Sequence, residues 1–136
     1  MKNKRQIKKF FYKWKKLNKI YQKHFSGSHL DFPDIVQKQI ILEFYDKNLR
    51  LSSCKTYDFD GNIELKSSTD ISHGCTPFSL NQNSCSRIIY MHITENIDVY
   101  EISQNDVKNI NSLITQGKIN ITLKDYIHKA TKTRIF

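Results

Sequence analysis

The run Asp58-Phe59-Asp60-Gly61-Asn62-Ile63-Glu64-Leu65-Lys66 constrains this chain more than any other. Gly61-Asn62 is a turn signal between two strand-like runs, because both residues tolerate positive φ. Residues two apart in a strand project from the same face. Glu64 and Lys66 therefore stand side by side, with Leu65 turned into the core. Loop length decides which acid joins them. A two-residue Gly61-Asn62 loop sets Asp60 against Ile63 and Asp58 against Leu65, and both aspartates then point away from Glu64. A three-residue Asp60-Gly61-Asn62 loop sets Phe59 against Ile63 and Asp58 against Glu64. The second register is preferred. It groups Asp58, Glu64 and Lys66 and leaves Asp60 in the turn.

Two carboxylates hold a hard divalent cation through oxygen, and a lysine beside them steers or activates a water. That is the minimum equipment for cutting a phosphodiester. The same spacing also serves a same-face ion pair on a solvated sheet. Acid-x-Lys recurs at Asp106-Val107-Lys108, inside a helical pattern.

Asp58 followed by Ile63-Glu64-Leu65-Lys66-Ser67-Ser68-Thr69 resembles the PD-(D/E)XK nuclease signature. The form is similar to that of small type II restriction endonucleases, in which small hydroxyl residues follow the signature. Gly74-Cys75-Thr76-Pro77-Phe78-Ser79 resembles the polar, proline-containing loop after it. Residues 87–93 and 97–102 resemble the paired strands that continue the nuclease sheet. The likeness covers roughly residues 33–115. It implies a Mg²⁺-dependent double-strand DNA endonuclease, with Asp58 and Glu64 as metal-binding acids and Lys66 as the catalytic lysine. The interval from Asp58 to Glu64 is short for the superfamily. Many members carry a glutamate on the preceding helix. Here Lys38 stands near that place, with Glu43 further along. Glu43 and Asp60 are candidates for supporting the metal ligands. If the site is palindromic, a two-fold homodimer is expected, because symmetry in the site calls for symmetry in the protein. The family likeness also implies a cognate DNA methyltransferase as companion.

Charge points the same way. The formal net charge is +9. Clustered bases gain affinity for nucleic acid by releasing its counterions. Residues 1–30 hold ten Lys and Arg and no Asp or Glu. Ile7, Phe10, Phe11, Trp14, Leu17, Tyr21 and Phe25 recur at three- and four-residue steps, an apolar stripe beneath a basic helical face. Lys8, Lys9, Lys13 and Lys16 are candidates to lie along DNA phosphates, contacts that hold register and carry no sequence information. A solvated basic helix and a membrane-surface helix are the other readings of this pattern. The globular remainder offers no second anchoring signal, so no membrane partner is expected.

No stretch reaches the roughly 18 apolar residues that span a bilayer. The N-terminus lacks the apolar core of a signal peptide. Cys54, Cys75 and Cys85 lack metal-type spacing and read as reduced thiols of a cytoplasmic protein. The histidines are scattered, which argues against zinc, and His73 reads as a loop residue. No glycine-rich phosphate loop supports an ATP-driven function.

Along the chain, a basic helix is predicted at 5–24, within a basic segment 1–30. Pro33 opens a second helix running to about Asp46, with Ile35, Val36, Ile40, Ile41, Phe44 and Tyr45 on its apolar face. Strands follow at 53–59 and 62–68. Residues 70–86 form a long polar loop, in which Asn81 and Gln82, together with Arg87, are candidates to read base edges in a DNA groove. Strands at 87–94 and 97–102, a helix at 104–115 stopped by Gly117, and a short strand at 119–123 complete an α/β core spanning 31–123. Residues 124–136 read as a basic tail, frayed or touching DNA. The expected architecture is one α/β domain, 1–136, with a mixed central sheet flanked by helices in a restriction-endonuclease-like core. The expected function is Mg²⁺-dependent cutting of double-stranded DNA as a type II restriction enzyme. A junction-resolvase-like nuclease and a non-catalytic nucleic-acid-binding protein are the alternatives.

Overall fold

Lysine and glutamine propagate a helix readily, and helix α1 runs from Lys2 to His24. Its first turn has no acid and its last has Lys23 and His24, so the helix dipole is complemented only at the C-terminal end. Packing holds it. Phe11 is fully buried, with Ile7 and Trp14 nearly so. Removing each from water is worth about 1.5–3 kcal/mol. The chain turns back along α1, where Leu30 N–H donates to Asn18 Oδ1 at 2.8 Å and Trp14 Nε1–H donates to the Asp31 carbonyl at 3.2 Å. Phe32 then meets the Trp14 ring edge-on, centroids 5.2 Å apart. This return segment covers one side of the apolar stripe. Phe10, Leu17 and Phe25, on the predicted apolar stripe, are exposed.

The computed structural model describes residues 2–26, 28–53, 56–69, 84–117 and 122–136. After α1, helix α2 (Asp34–Ile40) continues into a π-helical turn, Ile41–Tyr45, closed by Asp46 N–H on the Ile41 carbonyl at 2.8 Å. Its buried face is Gln37, Ile40 and Ile41, and Ile35 faces solvent. Four strands follow: β1 (Ile63–Ser68), β2 (Arg87–Ile93), β3 (Ile97–Glu101) and β4 (Thr131–Arg134). Helix α3 (Gln104–Thr115) and a 3₁₀ turn (Ile127–Lys129) lie between β3 and β4. The sheet order is β1-β2-β3-β4, with β1 parallel to β2 and the other pairs antiparallel.

Strand alternation gives the sheet two apolar faces. Ile63, Leu65, Ile89, Met91, Ile93, Ile97 and Val99 pack with α1 and α2. Ile88, Tyr90, Tyr100 and Ile102 pack with Val107 and Ile110 of α3. The molecule is therefore α/β, with a mixed sheet between helical layers. Ser103 caps α3 by accepting from Asp106 N–H, and Gly117 ends it at φ 80°. Among the described residues no helix is long and apolar enough to cross a membrane.

Two expectations need correction. Residues 53–59 do not make a strand among the described residues. Phe59 alone bridges, to Leu51 and to Ile63. The Asp58 carboxylate, rather than a backbone carbonyl, takes the next outward N–H of β1, that of Leu65, at 2.8 Å. Residues 124–136 are no loose basic tail either. Ile127 is buried, Lys132 and Arg134 lie on β4, and Phe136 stacks on Phe11 with centroids 5.3 Å apart. The Asp98 carboxylate receives both basic side chains, Arg134 Nε at 3.0 Å and Lys132 Nζ at 3.9 Å. The strand expected at 119–123 lies largely outside the described residues.

Candidate active site

The turn before β1 takes the longer of the two expected loops. Phe59 and Ile63 exchange backbone hydrogen bonds at 3.1 and 3.4 Å. Gly61 and Asn62 both have positive φ, 87° and 62°. A β-branched or bulky residue at either position would be strained. Asp60 sits exposed in the turn, its N–H on the Arg50 carbonyl at 2.9 Å.

This register sends Ile63 and Leu65 into the core under α1 and α2, and Glu64 and Lys66 to the opposite face. Glu64 is buried at 8 % exposure. Lys66 Nζ lies 4.0 Å from Glu64 Oε1. Further along the same face, Ser68 Oγ and the Tyr90 hydroxyl are hydrogen bonded. Asp58 lies at the open edge of β1, fixed by the Leu65 N–H. Its other oxygen, Oδ1, faces Lys38 Nζ of α2 at 3.4 Å. Lys38 also pairs with Asp34 Oδ2, one helical turn before it, at 2.9 Å. The two aspartates, Asp34 foremost, hold the Lys38 ammonium above its ordinary pKa against the opposing effect of burial.

Of the supporting acids, Glu43 receives Asn3 Nδ2 at 3.4 Å, its hydrogen-bond partner among the described residues, and Asp60 stays in solvent. Neither joins the hairpin acids. Among the described residues no three His, Cys, Asp or Glu side chains converge as a metal site. The hairpin carries two carboxylates, Glu64 on the face turned from α2 and Asp58 at the edge of β1 against Lys38 of α2. Oxygen donors in that number suit magnesium, which keeps several waters and takes one or two carboxylates from a protein.

Arg87, expected to read base edges, has its guanidinium engaged within the fold. Its Nη2 and Nε meet the Glu101 carboxylate at 2.7 and 2.9 Å, and Nη1 meets Asp46 Oδ2 at 2.8 Å. The Tyr45 hydroxyl donates to Glu101 Oε1 at 2.7 Å. The physical reason is the π-helical turn, which brings Tyr45 and Asp46 to the end of the sheet where Arg87 and Glu101 lie. The Glu101 bond raises the Arg87 pKa further, Arg87 lowers that of Asp46, and burial followed by Glu101 raises that of Tyr45. Sequence reasoning missed this clamp, because its members lie 14 to 56 residues apart.

On α1 the structure gathers Arg5, Lys8, Lys9, Tyr12, Lys13 and Lys16 around a shallow depression. Lys15 and Lys19 turn instead to Glu95. No carboxylate among the described residues pairs with Lys8, Lys9, Lys13 or Lys16. Asn81, Gln82, His73, Cys75 and the loop after the signature lie outside the described residues.

No family model, no curated protein and no solved structure matches the chain. The residues and their geometry carry the functional argument.

Proposed function

We propose that this chain is a Mg²⁺-dependent endonuclease of double-stranded DNA, of the type II restriction kind, built on a restriction-endonuclease-like core. One observation carries the reading. A buried glutamate and a lysine share one face of an edge strand, and the aspartate upstream is fixed against the same strand by the Leu65 N–H. A plain surface ion pair has no need to bury its carboxylate.

Asp58 and Glu64 would hold the magnesium. Bound there, the ion would supply Lewis acidity to the scissile phosphate. The Lys66 ammonium, fixed close to Glu64, orients the attacking water and offsets negative charge that grows on the phosphate. The lysines of α1 lie along the duplex backbone and contribute affinity without base selectivity. A palindromic site calls for a two-fold homodimer. A cognate DNA methyltransferase would protect host DNA in the same cytoplasm.

Digestion of a long unmethylated DNA tests this, with Mg²⁺, with EDTA, and beside Lys66→Ala. Discrete fragments that need both the metal and Lys66 are expected. Cutting confined to branched DNA would move the reading to a structure-specific nuclease. Binding without cleavage would leave a nucleic-acid-binding protein whose Glu64 and Lys66 form only an ion pair.

A further inference from the structure

Asp58 has two carboxylate oxygens and the fold commits one. Oδ2 accepts the Leu65 N–H at 2.8 Å, so Oδ1 is the oxygen left for a cation. A cation already stands there: Lys38 Nζ, at 3.4 Å. That ammonium has a shorter contact on its other side, Asp34 Oδ2 at 2.9 Å. Asp34 precedes Lys38 by one turn of α2, and its side chain is largely exposed. A lysine carries its charge on four flexible carbons, so the ammonium can leave Asp58 for Asp34 while α2 stays in place. A magnesium ion on Oδ1 would repel a lysine ammonium on the same oxygen.

Resting on the nuclease reading above, we infer that Lys38 is a resident counter-ion of Asp58, which metal binding displaces onto Asp34. Lys38 is then a positioning residue. It keeps the Asp58 charge compensated in the metal-free protein and raises the metal concentration at which the site fills.

The test is Mn²⁺ binding to the DNA-free protein, read from the electron paramagnetic resonance of the free ion. Lys38→Met should tighten binding by roughly five- to tenfold, the effect of losing one competing charged contact. Asp34→Asn, an exposed change with little risk to folding, should weaken binding about two- to threefold by removing the alternative seat. The Lys38→Met gain should vanish in an Asp58→Asn background, because nothing is then left to compete for. The proposal is overturned if Lys38→Met leaves affinity unchanged or lowers it. It is equally overturned if the gain persists without Asp58, which would reduce Lys38 to a distant field. Asp58→Asn and Glu64→Gln separate the two levels. If neither alters Mn²⁺ affinity, or no variant binds Mn²⁺, the metal reading itself falls and this inference with it.

Discussion

Two charged clusters flank the sheet, and they are built differently. The clamp joins Arg87 to Asp46 and Glu101 through four contacts at 2.7–2.9 Å, the Tyr45 hydroxyl included. The hairpin pairs Lys66 with Glu64 at 4.0 Å and Lys38 with Asp58 at 3.4 Å. Burial does not separate them. The Arg87 side chain is 25 % exposed and that of Lys66 16 %. Bond quality separates them. Arginine in the clamp meets its carboxylate with two parallel hydrogen bonds, the strong and directional form. Lys66 lies 4.0 Å from Glu64, and Lys38 divides its charge between Asp58 and the nearer Asp34 at 2.9 Å; an ammonium is a point charge and cannot form that fork. The clamp closes on a fixed fork of hydrogen bonds, whereas the hairpin side sets single ammonium groups beside its carboxylates.

Activity and stability, measured in crossed variants, separate the two clusters. Glu64→Gln should lower DNA cleavage by about 10³-fold, the scale of losing a positioned electrostatic group. Because glutamine keeps the shape and hydrogen-bonding capacity of the buried side chain, the same change should move stability by only about 1 kcal/mol. Arg87→Met should do the reverse. Leaving two carboxylates without their partner in a half-buried place costs about 2–3 kcal/mol, discounted from the full buried-pair penalty for the exposure of the cluster. Cleavage by the folded fraction should persist. Urea unfolding alongside a cleavage assay reads both quantities. If Glu64→Gln unfolds the protein, or Arg87→Met abolishes cleavage in folded protein, the two clusters are not the separate devices their geometry indicates.

Acid sharpens the contrast. Arg87 holds the Asp46 pKa below its ordinary value. A depressed carboxylate contributes stability that is present above its unfolded pKa and is lost as pH falls through its folded one. Asp46→Asn should therefore flatten the loss of stability below about pH 4, the ordinary carboxylate range, and leave the neutral baseline lower. An unchanged acid limb would show that Arg87 does not reach Asp46 in solution.

The two clusters also differ in how far the sequence reveals them. The hairpin is local. Gly61-Asn62 admits positive φ, the alternation of Ile63 to Lys66 sets the faces, and both signals lie within nine residues. Helix α3 is legible for the same reason, with Ser103 before it and Gly117 after it. The clamp is not local. One extra residue in a helical turn leaves no mark on composition, so the π turn at Ile41–Tyr45 is silent and Arg87 reads as a free base. Strand β4 hides likewise. Thr131-Lys132-Thr133-Arg134 is exposed along its length and looks like a tail, because Asp98 stands 36 residues before Arg134. The return of residues 28–32 onto α1 decides which of its apolar side chains are core, and periodicity cannot supply that.

The smallest expected effect concerns charges that belong to neither cluster. Lys8, Lys9, Lys13 and Lys16 have no carboxylate to close on or to stand off from among the described residues. They add like charge to a helix whose first turn already opposes its dipole, a small standing cost. Changing all four to Gln should leave the fold intact and raise stability by a few tenths of a kcal/mol. If these lysines touch phosphates, the same change lowers the slope of log affinity against log salt by about 3–4, uniformly across DNA sequences, since each phosphate contact contributes about 0.9. Titrations at several salt concentrations, on two unrelated duplexes, measure the slope directly. An unchanged slope would take α1 off the DNA-binding surface and leave its basic face as solvated charge. A slope that falls on one duplex only would mean that these lysines read sequence, which a phosphate contact cannot do.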